Sequence, residues 1–319
     1  MQRKHRLHKI ALGCLFAAAL APAESLLVLN KNGSVAVVDP STQKVVARIT
    51  AGERPHEIVA AGTNLAVISN YEGGHTLSVI DLKSKKELRR ADLSPSSRPH
   101  GLAYSGGQVY FTAEGSGSIG RYDPVANRVD WTMLSGQSGT HMILVSKDGA
   151  KLFTSNLGSG SVSIFEKAGS SWKPAHIQVG PGAEGFDLSP DEKQIWAANA
   201  GDGTVSVIDV AAKKVVATVN IGAERPNRLK FTPDGKIVLV SDFSNGNLIV
   251  IDANSRNVTK RVKVASSIAG ILIAPDGLRA YTAATSDNFV AVIDLRTLEA
   301  IGRIMTGEGP DGMDWIRGN

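Results

Sequence analysis

Short apolar segments that end in an acidic residue recur along the chain at intervals of 42 or 43 residues. Seven such acids mark the repeats: Asp39, Asp81, Asp123, Glu166, Asp209, Asp252 and Asp294. Within a repeat, apolar and polar positions alternate with the period of two that is typical of β-strands, and helical spacing is absent after the first 23 residues. A strand-only repeat of this length predicts a radial array in which each repeat forms one blade.

One repeat, residues 184–219, shows what a blade contains. Its apolar positions predict strands near 186–188, 195–197, 204–208 and 214–219. The sequence Ser-Pro-Asp-Glu at 189–192 predicts a turn, and the glycines of the 199–203 loop permit the positive φ that a tight loop requires. We therefore predict four antiparallel strands in each blade.

The two ends of the repeated region predict how the ring closes. Three strands come first, near 26–30, 34–38 and 45–49, and one comes last, near 311–316. Three N-terminal strands plus one C-terminal strand complete a seventh blade, and closure removes the exposed sheet edge. The sequence thus predicts an all-β fold, a seven-bladed β-propeller, as a single domain of residues 24–319.

The first 23 residues have a different composition. Arg3, Lys4, Arg6 and Lys9 precede a short apolar stretch, and Ala21-Pro22-Ala23 is a small-residue cleavage site. This arrangement predicts a signal peptide at 1–23 and a periplasmic or secreted protein, with no membrane span after cleavage. The remaining chain has 31 basic and 30 acidic residues, so we expect no nucleic-acid partner. The single cysteine, Cys14, lies in the signal segment.

Two stretches carry a family resemblance. Residues 197–236 and 240–264 are similar to the YVTN-type β-propeller repeat proteins, which are usually secreted or periplasmic in bacteria. The resemblance covers nearly all of the chain after residue 23. It implies the propeller fold, and it implies activity only weakly, although some related propellers act as lactonases. We expect a monomer.

One position at the start of each innermost strand is rich in groups that carry chemistry. Aligned on the apolar residue two places later, this column reads His56, His100, His141, Glu184, Asn227, Ala269 and Asp311. Three histidines from consecutive blades, flanked by carboxylates, suit Zn, Fe, Cu or Ni, and we predict that His56, His100 and His141 bind such a metal. The alternative is that these histidines only form structural hydrogen bonds to neighbouring loops or line the channel.

A second ring is expected in the loops after the second strands. It reads Asn30, Asn70, Glu114, Asn156, Asn199, Asp242 and Ala284. We predict catalytic roles for Glu114, Glu184 and Asp311. Substrate-binding roles are predicted for Arg54, Arg98, Arg225, Asn227 and Asn199. The alternatives are that the asparagines serve glycine-rich turns and that the arginines pair with loop carboxylates such as Glu53 and Glu224.

Two functional hypotheses follow. In the first, the channel mouth is a metal or small-molecule site that supports metal-assisted hydrolysis such as lactone opening, or lyase or redox chemistry. In the second, the propeller is a non-catalytic binding or scaffold protein with an envelope protein as partner. The fold itself does not choose between them.

Overall fold

A computed structural model describes residues 24–316, so the predicted signal peptide at 1–23 lies outside the described residues. The described chain forms seven four-stranded antiparallel sheets. The first sheet joins the C-terminal strand to the three N-terminal strands, as the sequence predicted. No helix within residues 24–316 has the length and apolar character needed to cross a membrane.

Each blade is numbered from the N-terminus and its strands are given from the channel outward. Blade 1 comprises β28 (Pro310–Ile316), β1 (Ser25–Asn30), β2 (Ser34–Asp39) and β3 (Lys44–Thr50), and blade 2 comprises β4 (Pro55–Ala61), β5 (Leu65–Asn70), β6 (Thr76–Asp81) and β7 (Lys86–Asp92). Blade 3 comprises β8 (Pro99–Ser105), β9 (Gln108–Ala113), β10 (Ser118–Asp123) and β11 (Arg128–Leu134), and blade 4 comprises β12 (Thr140–Val145), β13 (Lys151–Asn156), β14 (Ser161–Ala168) and β15 (Ser171–Gln178). Blade 5 comprises β16 (Ala183–Leu188), β17 (Gln194–Asn199), β18 (Thr204–Asp209) and β19 (Lys214–Asn220), and blade 6 comprises β20 (Pro226–Phe231), β21 (Ile237–Asp242), β22 (Asn247–Asp252) and β23 (Val258–Lys263). Blade 7 comprises β24 (Ile271–Ile273), β25 (Arg279–Ala284), β26 (Phe289–Asp294) and β27 (Glu299–Ile304).

The core lies between the blades. The second and third strands of a blade are covered on both faces by neighbouring blades, which is why β18 reads TVSVID with four consecutive buried residues. The outermost strand β19 instead alternates between exposed and half-buried residues, because only one of its faces meets a neighbour. Each fully buried aliphatic side chain stabilises the fold by about 1.5–3 kcal/mol.

The recurring acid has a local structural role. The Asp209 side chain accepts a hydrogen bond from the amide of Ala212 (2.7 Å), and the Asp39 side chain accepts one from the amide of Ser41 (2.8 Å). The carboxylate thereby closes the turn between the third and fourth strands. This turn geometry explains why an acid follows the apolar stretch in the repeat.

A β-bulge at the start of most innermost strands sets the direction of the side chains there. Pro55 pairs with Asn70 and Ile58 with Ile68, so His56 and Glu57 together face the single residue Ser69. The amide of Glu57 donates to the Ser69 hydroxyl (3.1 Å) and not to a ladder carbonyl. Bulges re-aim side chains beside functional sites. The same register shift follows the first pair of β8, β12, β16 and β20.

Candidate functional site

One cavity at the end of the central channel collects the residues of the predicted column. Its volume is about 190 Å³, and we call it the histidine chamber. All seven column residues line it: His56, His100, His141, Glu184, Asn227, Ala269 and Asp311. In the blades that have the bulge, it therefore turns the column side chain toward this common space.

The predicted second ring is wrong in its register in blade 3. Pro99 pairs with Ala113 as Pro55 pairs with Asn70, so Ala113 and not Glu114 is the counterpart of Asn70. Glu114 lies one position later and is the counterpart of Tyr71. The ring that faces the chamber is this later one, from which five residues line the cavity: Lys31, Tyr71, Glu114, Leu157 and Phe243.

The asparagines of the predicted ring hold turns together. Asn199 is fully buried, and its Nδ2 donates to the hydroxyls of Thr204 (2.7 Å) and Ser206 (3.0 Å). It does not line the chamber. Asn70 forms equivalent bonds in blade 2. The structure thus places Asn199 apart from Arg225 and Asn227, the two predicted substrate-binding residues that line the chamber.

His141 is held between two carboxylates. Its Nδ1 lies 2.8 Å from Oε2 of Glu114, and its Nε2 lies 3.1 Å from Oε1 of Glu184. Burial disfavours the charged ring, but the charge of Glu184 and the hydrogen bonds to both carboxylates outweigh it and raise the pKa of His141 to about 9. At neutral pH this histidine is therefore a buried cation that donates from both nitrogens.

Glu184 is the anion of this pair. Its Oε1 accepts from His141, from Nδ2 of Asn227 (2.9 Å) and from Nη1 of Arg228 (3.0 Å). Burial alone would raise the pKa of Glu184, but the charge and hydrogen bond of His141 and the charge of Arg228 lower it to about 2. Glu184 is consequently ionised at every pH at which the protein is expected to work.

Glu114 has its own set of partners at the rim. Its Oε1 accepts from the Tyr71 hydroxyl (2.8 Å) and lies 3.1 Å from Nη2 of Arg98. The Arg98 guanidinium also contacts the Tyr71 hydroxyl and lies over its ring, 4.6 Å from the centroid. Burial opposes ionisation of Glu114, yet the hydrogen bond and charge of His141 and the Tyr71 hydroxyl keep its pKa below the usual value.

The other two histidines of the column are neutral. Burial is the main reason that the pKa of His56 falls to about 4 and that the pKa of His100 falls well below its ordinary value, and the His141 cation lowers both further. His100 stacks on His141 at 3.8 Å between ring centroids, and its Nδ1 is buried without a hydrogen-bond partner among the described residues. Oδ2 of Asp311 lies 3.5 Å from Nδ1 of His56.

Arg228 divides the central channel. Its Nη2 donates to Oε1 of Glu57 (2.5 Å), which belongs to blade 2, while its Nη1 donates to Oε1 of Glu184 in blade 5. Arg228 lines both the histidine chamber and a second cavity of about 150 Å³ that is walled mainly by apolar residues such as Leu102 and Phe186. This bridge forms the floor of the histidine chamber.

Glu57 and Arg228 were not among the predicted site residues. Both occupy the position directly after the column, which reads Glu57, Gly101, Met142, Gly185, Arg228, Gly270 and Gly312. Four of the seven blades have glycine at this position, and two others have opposite charges, Glu57 and Arg228. That contrast is the sequence signal that could have identified the two charged residues. A Cβ on Gly185 would lie only 2.3 Å from the carbonyl oxygen of Asn227, so the close approach of the next blade requires glycine there.

The predicted arginines lie in different places. Arg225 lines the chamber, with its guanidinium 5.0 Å from the centroid of the Phe243 ring, and forms no ion pair within residues 24–316. Arg98 supports Glu114 and Tyr71 as described. Arg54 is exposed and pairs with Glu72, outside the chamber. A further cation that was not predicted, Lys31, lies 3.4 Å from Oδ2 of Asp311.

The donor set bears on the predicted metal. No group of three or more histidines, cysteines or acids among the residues that the structure describes is placed to hold a metal ion. Both ring nitrogens of His141 are engaged by carboxylates, so in this arrangement it offers no lone pair to a metal. The unpaired Nδ1 of His100 and the neutral ring of His56 have the chemistry of metal ligands. Binding of Zn, Fe, Cu or Ni stays a prediction.

A family comparison agrees with the repeat. A family model described as YNCE-like β-propeller matches residues 102–279, which is more than half of the chain. This confirms the resemblance to propeller repeat proteins that the sequence carried. A search of curated proteins found no match.

Solved structures share the architecture. A putative 6-phosphogluconolactonase from Bacteroides fragilis NCTC 9343 superposes with a TM-score of 0.77 at 14% identity, covering 92% of this chain and 98% of its own. A second one, from Bacteroides uniformis ATCC 8492, gives 0.76 at 13% identity, with 92% and 99% covered. Hydrazine synthase from Kuenenia stuttgartiensis gives 0.75 at 20% identity, with 85% and 92% covered. At these identities the likeness concerns the fold alone.

Proposed function

This chain belongs to the YNCE-like β-propeller family, and we propose that its histidine chamber binds a small carboxylate-bearing molecule and opens a lactone-type ester in it. The observation that carries the proposal is the charge of the lining. Lys31 is paired with Asp311, Arg228 with Glu57 and Glu184, and the His141 ring with Glu114 and Glu184. Arg225 also lines the chamber but forms no ion pair within residues 24–316, so this cation is left over, and a bound carboxylate would balance it.

Arg225 is the cation best suited to receive that carboxylate. Arg228 and His141 are already saturated by Glu57, Glu184 and Glu114. Arg225 lines the chamber, its guanidinium lies 5.0 Å from the centroid of the Phe243 ring, and it forms no ion pair within residues 24–316. Paired guanidinium–carboxylate hydrogen bonds are the strong, directional kind, so Arg225 would fix both affinity and orientation.

His56 is the group suited to act as the base. It is neutral at pH 7 and 19% of its side chain is exposed, so its ring can accept a proton from a water molecule in the chamber. The nearby Asp311 would favour the proton on Nδ1 and leave Nε2 free. The water oxygen would bond to the lactone carbonyl carbon while its proton passes to His56. The ring C–O bond would then break, and His56 would return the proton to the departing alkoxide.

Two features of the fold are consistent with this chemistry. The bridge of Arg228 and Glu57 closes the chamber floor, so ligand and water enter from one face. Burial, reinforced by the nearby cations, keeps the pKa values of His56 and His100 low, so both rings stay unprotonated at neutral pH. The fold neighbours described as putative 6-phosphogluconolactonases make lactone opening a reasonable class to test first.

A transition metal on His56 and His100 is the second candidate. It is favoured by the buried Nδ1 of His100, which lacks a partner among the described residues, and by the 5.3 Å between the two ring centroids. Such a metal would polarise the carbonyl or lower the pKa of the water. A purely binding or scaffold role, with an envelope protein as partner, is the remaining alternative. A periplasmic or secreted location stays part of the proposal, since it depends on residues 1–23.

The test measures binding and turnover together. Residues 24–319 are titrated calorimetrically with small carboxylates and assayed with a panel of lactones, and metal content is measured by elemental analysis. We expect Arg225→Gln to weaken carboxylate binding by about tenfold or more and His56→Gln to abolish turnover while binding persists. The matched control is Arg54→Gln, which removes an exposed arginine outside the chamber and should change neither.

The outcomes separate the alternatives. Carboxylate binding that is unchanged in Arg225→Gln would overturn the anion site. Carboxylate binding without turnover of any lactone in the panel would favour the non-catalytic binding role. Stoichiometric metal that is lost in a His56→Gln and His100→Gln double variant would favour the second candidate.

A further inference from the structure

We propose that the groove between the loops of blades 7 and 1 is a second subsite for the same ligand, and that it receives a hydroxylated chain. The ligand would then be a polyhydroxylated acid or its lactone. This inference rests on the proposed carboxylate site and deepens it. The groove, which we call the loop groove, has a volume of about 400 Å³ and is lined by Lys31, Asn32, Thr285, Ser286, Asn288, Glu308 and Gly309.

The loop groove lies where the shortest of the loops between second and third strands adjoins the blade 7 loop. The loop between β1 and β2 has three residues, Lys31–Gly33, whereas the loops between β9 and β10 or between β17 and β18 have four. The shorter loop leaves space beside blade 7, whose own loop forms a 3₁₀ turn at Thr285–Asp287. The space is thus a consequence of chain length at this seam of the ring.

The loop groove and the histidine chamber meet at Lys31, which lines both. Its Nζ lies 3.4 Å from Oδ2 of Asp311, on the chamber side. Blade 7 contributes only Ala269 to the column, the smallest side chain there, so Asp311 of blade 1 is the one polar column residue in the described chain that flanks the seam. A ligand whose carboxylate lies on Arg225 can therefore extend past Lys31 into the loop groove.

The polar groups of the loop groove suit hydroxyls. Ser286 offers a hydroxyl and Glu308 a carboxylate; both residues are exposed, and their side chains form no hydrogen bond or ion pair within residues 24–316, so both are available to a ligand. Asn288 accepts from the amide of Gly309 (2.9 Å) through Oδ1, which leaves its Nδ2 donors available. Donors and acceptors side by side match a chain of hydroxyls, each of which both donates and accepts. Lys31 is already paired with Asp311, and Glu308 adds a negative charge, so this region does not call for a second anion.

The test compares two six-carbon acids on the chain of residues 24–319. D-gluconate has hydroxyls along its length and hexanoate has none, so their affinities by calorimetry isolate the hydroxyl contacts. We expect gluconate to bind about tenfold more tightly or better, as one or two additional hydrogen bonds would give. The double variant Ser286→Ala with Glu308→Gln should reduce gluconate to the level of hexanoate and leave hexanoate unchanged.

Blade 6 offers a matched control. Ser244 and Glu224 are the counterparts of Ser286 and Glu308, since Phe243 and Arg225 correspond to Thr285 and Gly309. Ser244→Ala with Glu224→Gln should change neither affinity. Equal affinities of the two acids for the wild type, or gluconate binding that the first double variant does not weaken, would overturn the second subsite while the anion site stands. If neither acid binds, the proposed function itself fails.

Discussion

Replacing His141 with glutamine removes the cation held between Glu114 and Glu184 and nearly conserves the side-chain volume. Glutamine can still donate a hydrogen bond, but it carries no charge. Glu184 would keep Asn227 and Arg228 as hydrogen-bond partners, and Glu114 would keep Tyr71 and Arg98. The substitution therefore isolates the contribution of one buried charge.

The magnitude follows from the shift in protonation. The pKa of His141 is about 9 in the folded protein against the ordinary 6.5, so its ionisation stabilises the fold by about 3 kcal/mol. Because the folded pKa is the higher one, this contribution is complete below pH 6.5 and is lost as the pH rises to about 9. We expect the variant to lose about 3 kcal/mol at pH 6, which is also the usual cost of breaking a buried ion pair.

The assay is urea unfolding of residues 24–319 at several pH values from 6 to 9.5. The wild type should lose stability steadily across this window, and His141→Gln should lack that component. His75→Gln is the control, because His75 is half exposed and lies 3.8 Å from an exposed carboxylate, so its pH dependence should follow the wild type. Imidazole ¹⁵N shifts at pH 7 should show His141 protonated and His56 and His100 neutral.

Two results would refute the reasoning. One is a wild type whose unfolding free energy is flat between pH 6 and 9.5. The other is a His141→Gln variant that keeps the wild-type slope, since the slope would then come from another group. A neutral His141 in the ¹⁵N spectrum at pH 7 would contradict the assigned charge directly.

Three further substitutions test the surrounding structure. Gly185→Ala should lower the free energy of unfolding by about 2 kcal/mol, because its Cβ would lie 2.3 Å from a backbone oxygen of the next blade. Gly149→Ala is the control: it lies in open space at φ 68° and should lower the free energy of unfolding by about 1 kcal/mol. Equal losses in urea unfolding would count against the close contact at Gly185. Arg98 has φ 55°, so Arg98→Gly should be more thermally stable than Arg98→Ala, the reverse of the usual order, and the ordinary order would show that no strain is present. Arg228→Met should cost about 3–5 kcal/mol, and adding Glu57→Gln should recover part of it; a double variant no more stable than the single one would rule out the bridge.

The fold was predictable because its determinants are local and repeated. A two-residue apolar period specifies a strand wherever it occurs, and the turn-closing role of Asp209 recurs in every blade except blade 4, where Glu166 instead pairs with Lys213. Ring closure required only counting strands at the two ends. The convergence of the column on the channel was also predictable, because every blade places the same position at the same radius.

The partners within the site were not predictable from one sequence. Glu114 was aligned with Asn70, but the pairing of Pro99 with Ala113 shows that it is the counterpart of Tyr71, one position further along the loop. The protonation of His141 depends on two carboxylates, each 2.8–3.1 Å away and each from an adjacent blade. Distances of that kind are set by the ring and leave no pattern within a repeat.

The bridge across the channel shows how the fold makes room for chemistry. The position after the column approaches the next blade so closely that four of the seven blades use glycine there. Glu57 and Arg228 occupy this position in two blades that are not neighbours, 171 residues apart, and their side chains meet over the channel. Because the glycines leave the channel open, this single ion pair can cross it and anchor Glu184. The same glycines that allow the blades to pack therefore allow the chamber to have a charged floor, and stability and site geometry are coupled at one position of the repeat.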